Sequence, residues 1–145
     1  MKKKIMKNNH YSFFYGTMII GGIIMKIFKC NKCGNIVELI EGNNSNIMCC
    51  GEKMEELVPN TVDAANEKHI PSCEINDDIV VVKIGEVLHP MEEKHYIEWV
   101  VAEYSDSIVK YKFQPGESPE AEFDYEKGMK IYAYCNLHGL WMKEL

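Results

Sequence analysis

The sequence predicts an all-β protein, with a small metal-stapled N-terminal unit ahead of an antiparallel sandwich or barrel. Three observations lead there. From about Val62 onward, β-branched and aromatic runs recur at short intervals with turn signals between them and no amphipathic helical pattern. Residues 26–58 hold four of the six cysteines in a stretch too short to bury a core unaided, so a staple is expected. Finally, 46% of the 145 residues are hydrophobic, enough for a real core and against wholesale disorder.

Residues 1–24 stand apart from the rest of the chain. They carry Lys2, Lys3, Lys4 and Lys7, no acid, and an apolar run beginning at Tyr11. A basic start before an apolar stretch outlines a secretory signal. Here Gly16, Gly21 and Gly22 break the run, no A-x-A-like site succeeds it, and it is short for a membrane span of about 20 residues. Gly codons begin with GG, so Gly21-Gly22 reads as a translated ribosome-binding site just upstream of a true start at Met25. That mis-called start is the favoured reading, and a signal or anchor is the alternative.

Residues 25–60 form the first unit. Cys30-Asn31-Lys32-Cys33-Gly34 leads into a β-like run Ile36–Ile40, a turn-rich Glu41-Gly42-Asn43-Asn44-Ser45, and then Cys49-Cys50-Gly51. Pro59-Asn60-Thr61 reads as the linker. Residues 61–145 form the second unit, with strands expected at Ile79–Ile84, Tyr96–Tyr104, Ser107–Phe113 and Lys130–Tyr134. Asn76-Asp77-Asp78 and the 115–119 segment PGESP mark turns. Trp99, Trp141, Tyr96, Tyr132 and Tyr134 are expected in the core or the wall of a metal pocket.

Charge removes several function classes. The formal charge is −6, and every one of the 16 basic residues is Lys. Because residues 1–24 carry four Lys and no acid, residues 25–145 stand at −10. Such a surface argues against a nucleic-acid backbone as partner, and the absence of Arg removes bidentate clamps on phosphate or carboxylate. With Met25 as the start, the chain is expected to be cytoplasmic and free of the membrane.

Two constellations carry the chemistry. In the first, Cys30-x2-Cys33 is followed after fifteen residues by Cys49-Cys50. A C-x2-C turn points both sulfurs at one metal, and Gly34 gives the backbone freedom just after it. Adjacent Cys49 and Cys50 would face opposite sides of a strand, so both reach one metal only if the chain kinks, which Gly51 permits. The expected site is tetrahedral S4 holding iron or zinc. Paired disulfides, the alternative, would need an oxidising compartment.

The second constellation is His69, His89, His95 and His138, with Cys135 three residues before the last. Taken singly, each His reads as a surface or hydrogen-bonded residue. Together they fall at strand ends and loops, where distant segments can meet at one end of a sandwich. Four imidazoles and a thiolate are too many for a closed tetrahedral zinc site. They suit a five-coordinate iron with an open sixth position, where an axial thiolate pushes electron density toward the opposite ligand.

The combination C-x2-C…C-C, E-K-H-x-P, H-P-M-x3-H and C-x2-H-G-L-W resembles desulfoferrodoxin, the two-iron form of superoxide reductase, over Met25 to Leu145. The resemblance implies a desulforedoxin-like Fe(Cys)4 domain, with Cys30, Cys33, Cys49 and Cys50 as ligands, and an immunoglobulin-like sandwich. It implies a second iron bound by His69, His89, His95 and His138 with Cys135 axial, and one-electron reduction of superoxide to hydrogen peroxide. Glu67 and Lys68 would flank the open position. Lys68 would attract the anionic substrate, and Glu67 would close the position after product leaves. A rubredoxin-type electron donor and a homodimer are implied as well.

Two rival readings remain. Cys135, His138 and Met142 mimic a blue-copper loop, which would make the chain a cupredoxin-like electron carrier. Alternatively, the chain is a zinc-stapled β binding module whose histidines are incidental. Cys73 fits neither metal set and is read as a small buried hydrophobe.

Overall fold

The computed structural model describes residues 3–4, 25–42, 46–62, 64 and 66–145. The rest of the leader and the turn at 43–45 lie outside the described residues. In chain order the elements are β1 (Lys3–Lys4), β2 (Lys26–Lys29), β3 (Ile36–Leu39), β4 (Met48–Cys49), β5 (Glu52–Lys53) and β6 (Glu55–Glu56). Then come α1 (Asn66–His69), β7 (Pro71–Asn76), β8 (Ile79–Ile84), β9 (Ile97–Glu103), β10 (Ile108–Lys112), β11 (Glu120–Asp124), β12 (Lys130–Cys135) and β13 (Gly139–Glu144).

Two four-stranded sheets make the sandwich, ordered β1-β11-β8-β7 and β10-β9-β12-β13. All pairings within them are antiparallel except β1 with β11, where Lys3 and Lys4 lie beside Ala121 and Glu122. The strand β11 (EAEFD) shows why the layers close. Ala121 and Phe123 are buried while Glu120, Glu122 and Asp124 are less so, the period-two pattern of a half-buried strand. Across the core they meet residues such as Ile131 and Ala133 of β12, with Val80, Val82 and Ile84 of β8 alongside.

The strands β9 and β12 are buried along nearly their whole length, because both their faces are covered. Their inner face joins the sandwich core. Their outer face, with Trp99, Val101, Tyr132 and Tyr134, packs against Met25 and Ile27 of the N-terminal unit, with Ile36 and Leu57 at its margin. This explains why IEWVVAE and KIYAYC read as continuous apolar runs rather than alternating ones. Trp99 and Tyr134 stack at 5.2 Å within that seam. The linker is pinned as well: the Asn60 side chain accepts from Met142 N at 2.9 Å and donates to Met142 O at 3.0 Å.

Several strands match expectation within a residue of their ends, and Ile79–Ile84 matches it in full. Strands β2, β7, β11 and β13 were not among those expected, nor were the short β4, β5 and β6. The stretch after Val62 opens not on a strand but on the single helical turn α1. No helix among the described residues is long and apolar enough to cross a membrane.

Phe123 anchors the sheet that carries β8, with its ring 5.7 Å from that of Tyr111 and 1% of its surface exposed. Phe123→Ala should cost about 3–5 kcal/mol of unfolding free energy, read by denaturant titration. A loss below about 1 kcal/mol would mean the ring is not part of a close-packed core.

Candidate metal centres

The first cluster lies in the N-terminal unit. Cys30 N donates to Asn35 O at 2.8 Å and Gly34 N to Cys30 O at 2.9 Å, which closes the C-x2-C knuckle. The kink expected near Gly51 is present, and it begins one residue earlier. Cys50 has φ +52° and Gly51 φ +78°, so two successive left-handed residues turn Cys50 back toward Cys49. The Sγ atoms of Cys33 and Cys49 are 3.6 Å apart and those of Cys49 and Cys50 3.9 Å. A tetrahedral metal with thiolate bonds of about 2.3 Å has sulfur–sulfur edges of about 3.8 Å, so the four side chains fit one ion. All six cysteines are free, which sets aside the disulfide alternative.

Electrostatics in this cluster favour a bound cation. The Cys33 amide, donating to its sulfur, draws the Cys30 thiol down to about 7. Hydrogen bonding with Cys33, and then with Cys49 and Cys30, pushes Cys50 up to about 12, since thiolates crowded together repel a further charge. Bound cations remove that conflict. Cys30 is buried, whereas Cys33 and Cys50 are exposed, so this cluster sits at the surface.

The second cluster is assembled at one end of the sandwich. His69 closes α1, His89 and His95 lie in the long connection between β8 and β9, Cys135 ends β12, and His138 lies in the turn to β13. His89 stands five residues beyond β8 rather than at its end, and His95 is held in an isolated bridge with Glu92 rather than in β9. One ligand atom from each of the five residues lies within 4.8 Å of all the others.

The rings form a square. Neighbouring centroids are 4.7 Å (His69–His89), 4.6 Å (His89–His95), 4.9 Å (His95–His138) and 4.7 Å (His69–His138) apart, with interplanar angles of 71° to 81°. His69 and His95, across the diagonal, are 6.4 Å apart and inclined by only 30°. Histidines packed for their own sake have no reason to adopt this arrangement. Four nitrogens aimed at one central point require it.

Two of the rings, those of His89 and His69, are held from outside. His89 Nδ1 lies 2.7 Å from Pro90 O and donates to it, which leaves Nε2 as the inward lone pair. The Nε2 atoms of His89 and His95 are buried with no hydrogen-bond partner, a cost the fold bears only where a ligand takes the lone pairs. Burial drives the His89 pKa down to about 4 and lowers that of His95, so both rings hold the neutral, ligating form. Trp141, fully buried, stacks on His69 at 4.8 Å and donates from Nε1 to His138 O at 3.0 Å.

Cys135 joins the four rings, its Sγ 3.6 Å from His138 Nδ1. A bulge makes this possible: Tyr134 pairs with Trp99 and Cys135 with Ile97, which leaves Glu98 unpaired between them. Ile97 thereby turns into the sandwich core beside Cys135. Burial raises the Cys135 pKa, while the amides of Leu137 and His138 pull it down. Asn136 clamps this turn to the His95 loop, accepting from Tyr96 N at 3.0 Å and donating to Lys94 O at 3.1 Å.

Glu67 and Lys68 sit on α1 directly before His69, both exposed. The Lys68 charge is felt within the cluster, where it lowers the His95 pKa after burial and His138. Met142 is the neighbour of Trp141 on β13 and so points to the opposite face, where it packs beside the Trp99–Tyr132 seam. That separates it from Cys135 and His138 and removes the copper loop. Cys73 is partly buried against the main core, and its thiol is pushed up to about 11 by burial, as expected of a packing residue. Sequence reasoning missed Asn136 and Pro90 as supports; each stood inside a recognised motif but registered only as spacing.

Comparison with known proteins shows the same division. The sequence pattern described as Desulfoferrodoxin matches residues 61–144, and that described as Desulfoferrodoxin, N-terminal domain, matches residues 24–57. A desulfoferrodoxin of Syntrophotalea carbinolica is 46% identical over 121 residues, spanning 83% of this chain and 96% of its own. One from Nitratidesulfovibrio vulgaris is 46% identical over 122 residues, spanning 82% and 95%. The crystal structure of the superoxide reductase from Treponema pallidum aligns over 83% of this chain and 97% of its own, with a TM-score of 0.66 and 27% identity. Since both metal-binding halves are matched and relatives near half-identity run almost end to end, this chain belongs to the desulfoferrodoxin family.

Proposed function

We propose that the protein is a superoxide reductase, with the cluster at the end of the sandwich as its catalytic centre. The observation that carries this is the square of four imidazole rings with the Cys135 sulfur in the same cluster. In this reading His69, His89, His95, His138 and Cys135 bind one iron, and Cys30, Cys33, Cys49 and Cys50 bind the other, where zinc also fits. The functional units are residues 25–60 and 61–145, a division that the matched segments 24–57 and 61–144 support.

The bound iron supplies the single electron that, with two protons, takes superoxide to hydrogen peroxide. The protein does the rest. Lys68 is the cation that draws a small anion to this end of an otherwise acidic chain, which raises the encounter rate. Glu67, beside it on the same turn, would be a further carboxylate available to hold the iron. The amides of Leu137 and His138 hold negative charge on Cys135, and Trp141 shields His69 from water on its stacked side. A small rubredoxin-type protein as electron donor, a homodimer and a cytoplasmic location complete the proposal.

Protein purified without oxygen should carry two irons per chain and turn coloured on oxidation. Colourless protein filled with zinc at both clusters would end the proposal. Lys68→Ala should slow the reaction with superoxide about tenfold, and weaken its dependence on salt, with the ferric spectrum nearly intact. An unchanged rate removes the steering role.

The iron-free protein should lose stability in acid. His89 titrates near 6.5 in the unfolded chain and at about 4 when buried, so between those values the unfolded state binds the extra proton. Its contribution is therefore full above about pH 6.5 and falls away as the pH drops toward about 4. Equilibrium unfolding at about pH 7 and about pH 5 reads this directly, and equal midpoints would contradict it.

A further inference from the structure

Beyond Ile84 the chain crosses α1 before it reaches His89, and Gly85 makes the crossing. Its φ is +84°, and a Cβ there would overlap Val87 O and lie 2.6 Å from Lys68 O and 2.8 Å from the Lys68 carbonyl carbon. All are backbone atoms, so no side-chain rotation relieves the overlap. Around the crossing, Gly85 N donates to Ile70 O at 3.2 Å, Val87 N to Glu67 O at 3.2 Å and His89 N to Ile84 O at 3.1 Å. The turn that carries Glu67, Lys68 and His69 is thus laced to the loop that carries His89 by main-chain hydrogen bonds. By contrast, a glycine such as Gly116 has open space at the Cβ position.

We propose that Gly85 is a positioning residue for superoxide reduction: by giving the Lys68 carbonyl the space a side chain would fill, it locks the Glu67–Lys68–His69 turn to the His89 loop. A four-residue helix cannot hold its own place, because a single turn is marginal without tertiary support. The docking at Gly85 supplies that support through the helix backbone. It sets where Lys68 stands, while a bound iron would hold His69 and His89 additionally. Loss of the docking should therefore be felt at Lys68 before it is felt by the ligands. The proposal rests on the assignment of Lys68 as the group that steers superoxide.

The test is a double-mutant cycle on the full iron-loaded chain, with the superoxide rate constant, the ferric absorption spectrum and amide exchange at Val87 as readouts. Gly85→Ala should retain iron and its ferric band, exchange the Val87 amide faster, and react about tenfold more slowly. In a Lys68→Ala background it should add no further loss. Wild-type reactivity of Gly85→Ala, or losses that multiply in full with those of Lys68→Ala, would overturn the role of Gly85. If Lys68→Ala alone reacts like the wild type, it is the steering assignment that falls, which the cycle separates from the first outcome. Should Gly85→Ala fail to fold, Val87→Pro deletes the amide bound to Glu67 without adding a Cβ at residue 85 and is read in the same way.

Discussion

The constraint on which this end of the sandwich depends is that four imidazole nitrogens and a cysteine sulfur must converge from three stretches of chain, residue 69, residues 89–95 and residues 135–138. Left unsatisfied, the buried Nε2 atoms of His89 and His95 weaken the fold. Its irregular features around the site serve that convergence. The bulge at Glu98 re-aims Ile97 and accommodates Cys135, the Asn136 amide ties the Cys135–His138 turn to the His95 loop, and Trp141 backs His69. Away from this end the strands pair regularly and could be those of many β-sandwiches.

The two clusters divide the chemistry by environment. The thiol cluster, with Cys33 and Cys50 exposed, belongs to a unit whose own core is little more than Phe28, Cys30 and Met54, so metal and fold are inseparable there. The histidine cluster is recessed in a domain with an extensive core of its own, which frees its metal for reaction rather than for stability. The N-terminal unit is not a loose appendage. Its residues Met25, Ile27, Ile36 and Leu57 cover the outer face of β9 and β12, and Lys29 lies 5.7 Å over the Tyr134 ring, one residue from Cys135.

What the sequence made legible was chemistry more than geometry. Ligand identities stood out because Cys and His are scarce and their spacings are restrictive, and β8 stood out because IVVVKI has no other use. Strand β11 was passed over, although EAEFD alternates strictly, because its three acids masked two inward residues. Strand β7 begins on a proline, and β13 starts directly after the His138 turn, so neither carried a clean period. The helical turn at 66–69 has no sequence signature at that length, and its backbone is bonded to the Gly85 loop, a contact distant in sequence. The square of rings was likewise invisible, since it depends on loops whose paths are set only by packing.

A site of this kind reduces superoxide rather than dismutating it. Product stoichiometry tests that most directly. Pre-reduced, iron-loaded protein would be mixed anaerobically with a limiting amount of superoxide, and peroxide and dioxygen measured together. A reductase should yield a peroxide for every superoxide consumed, lose one electron each time, and release no dioxygen. Dioxygen released alongside peroxide, with the protein's electrons unspent, would contradict the claim.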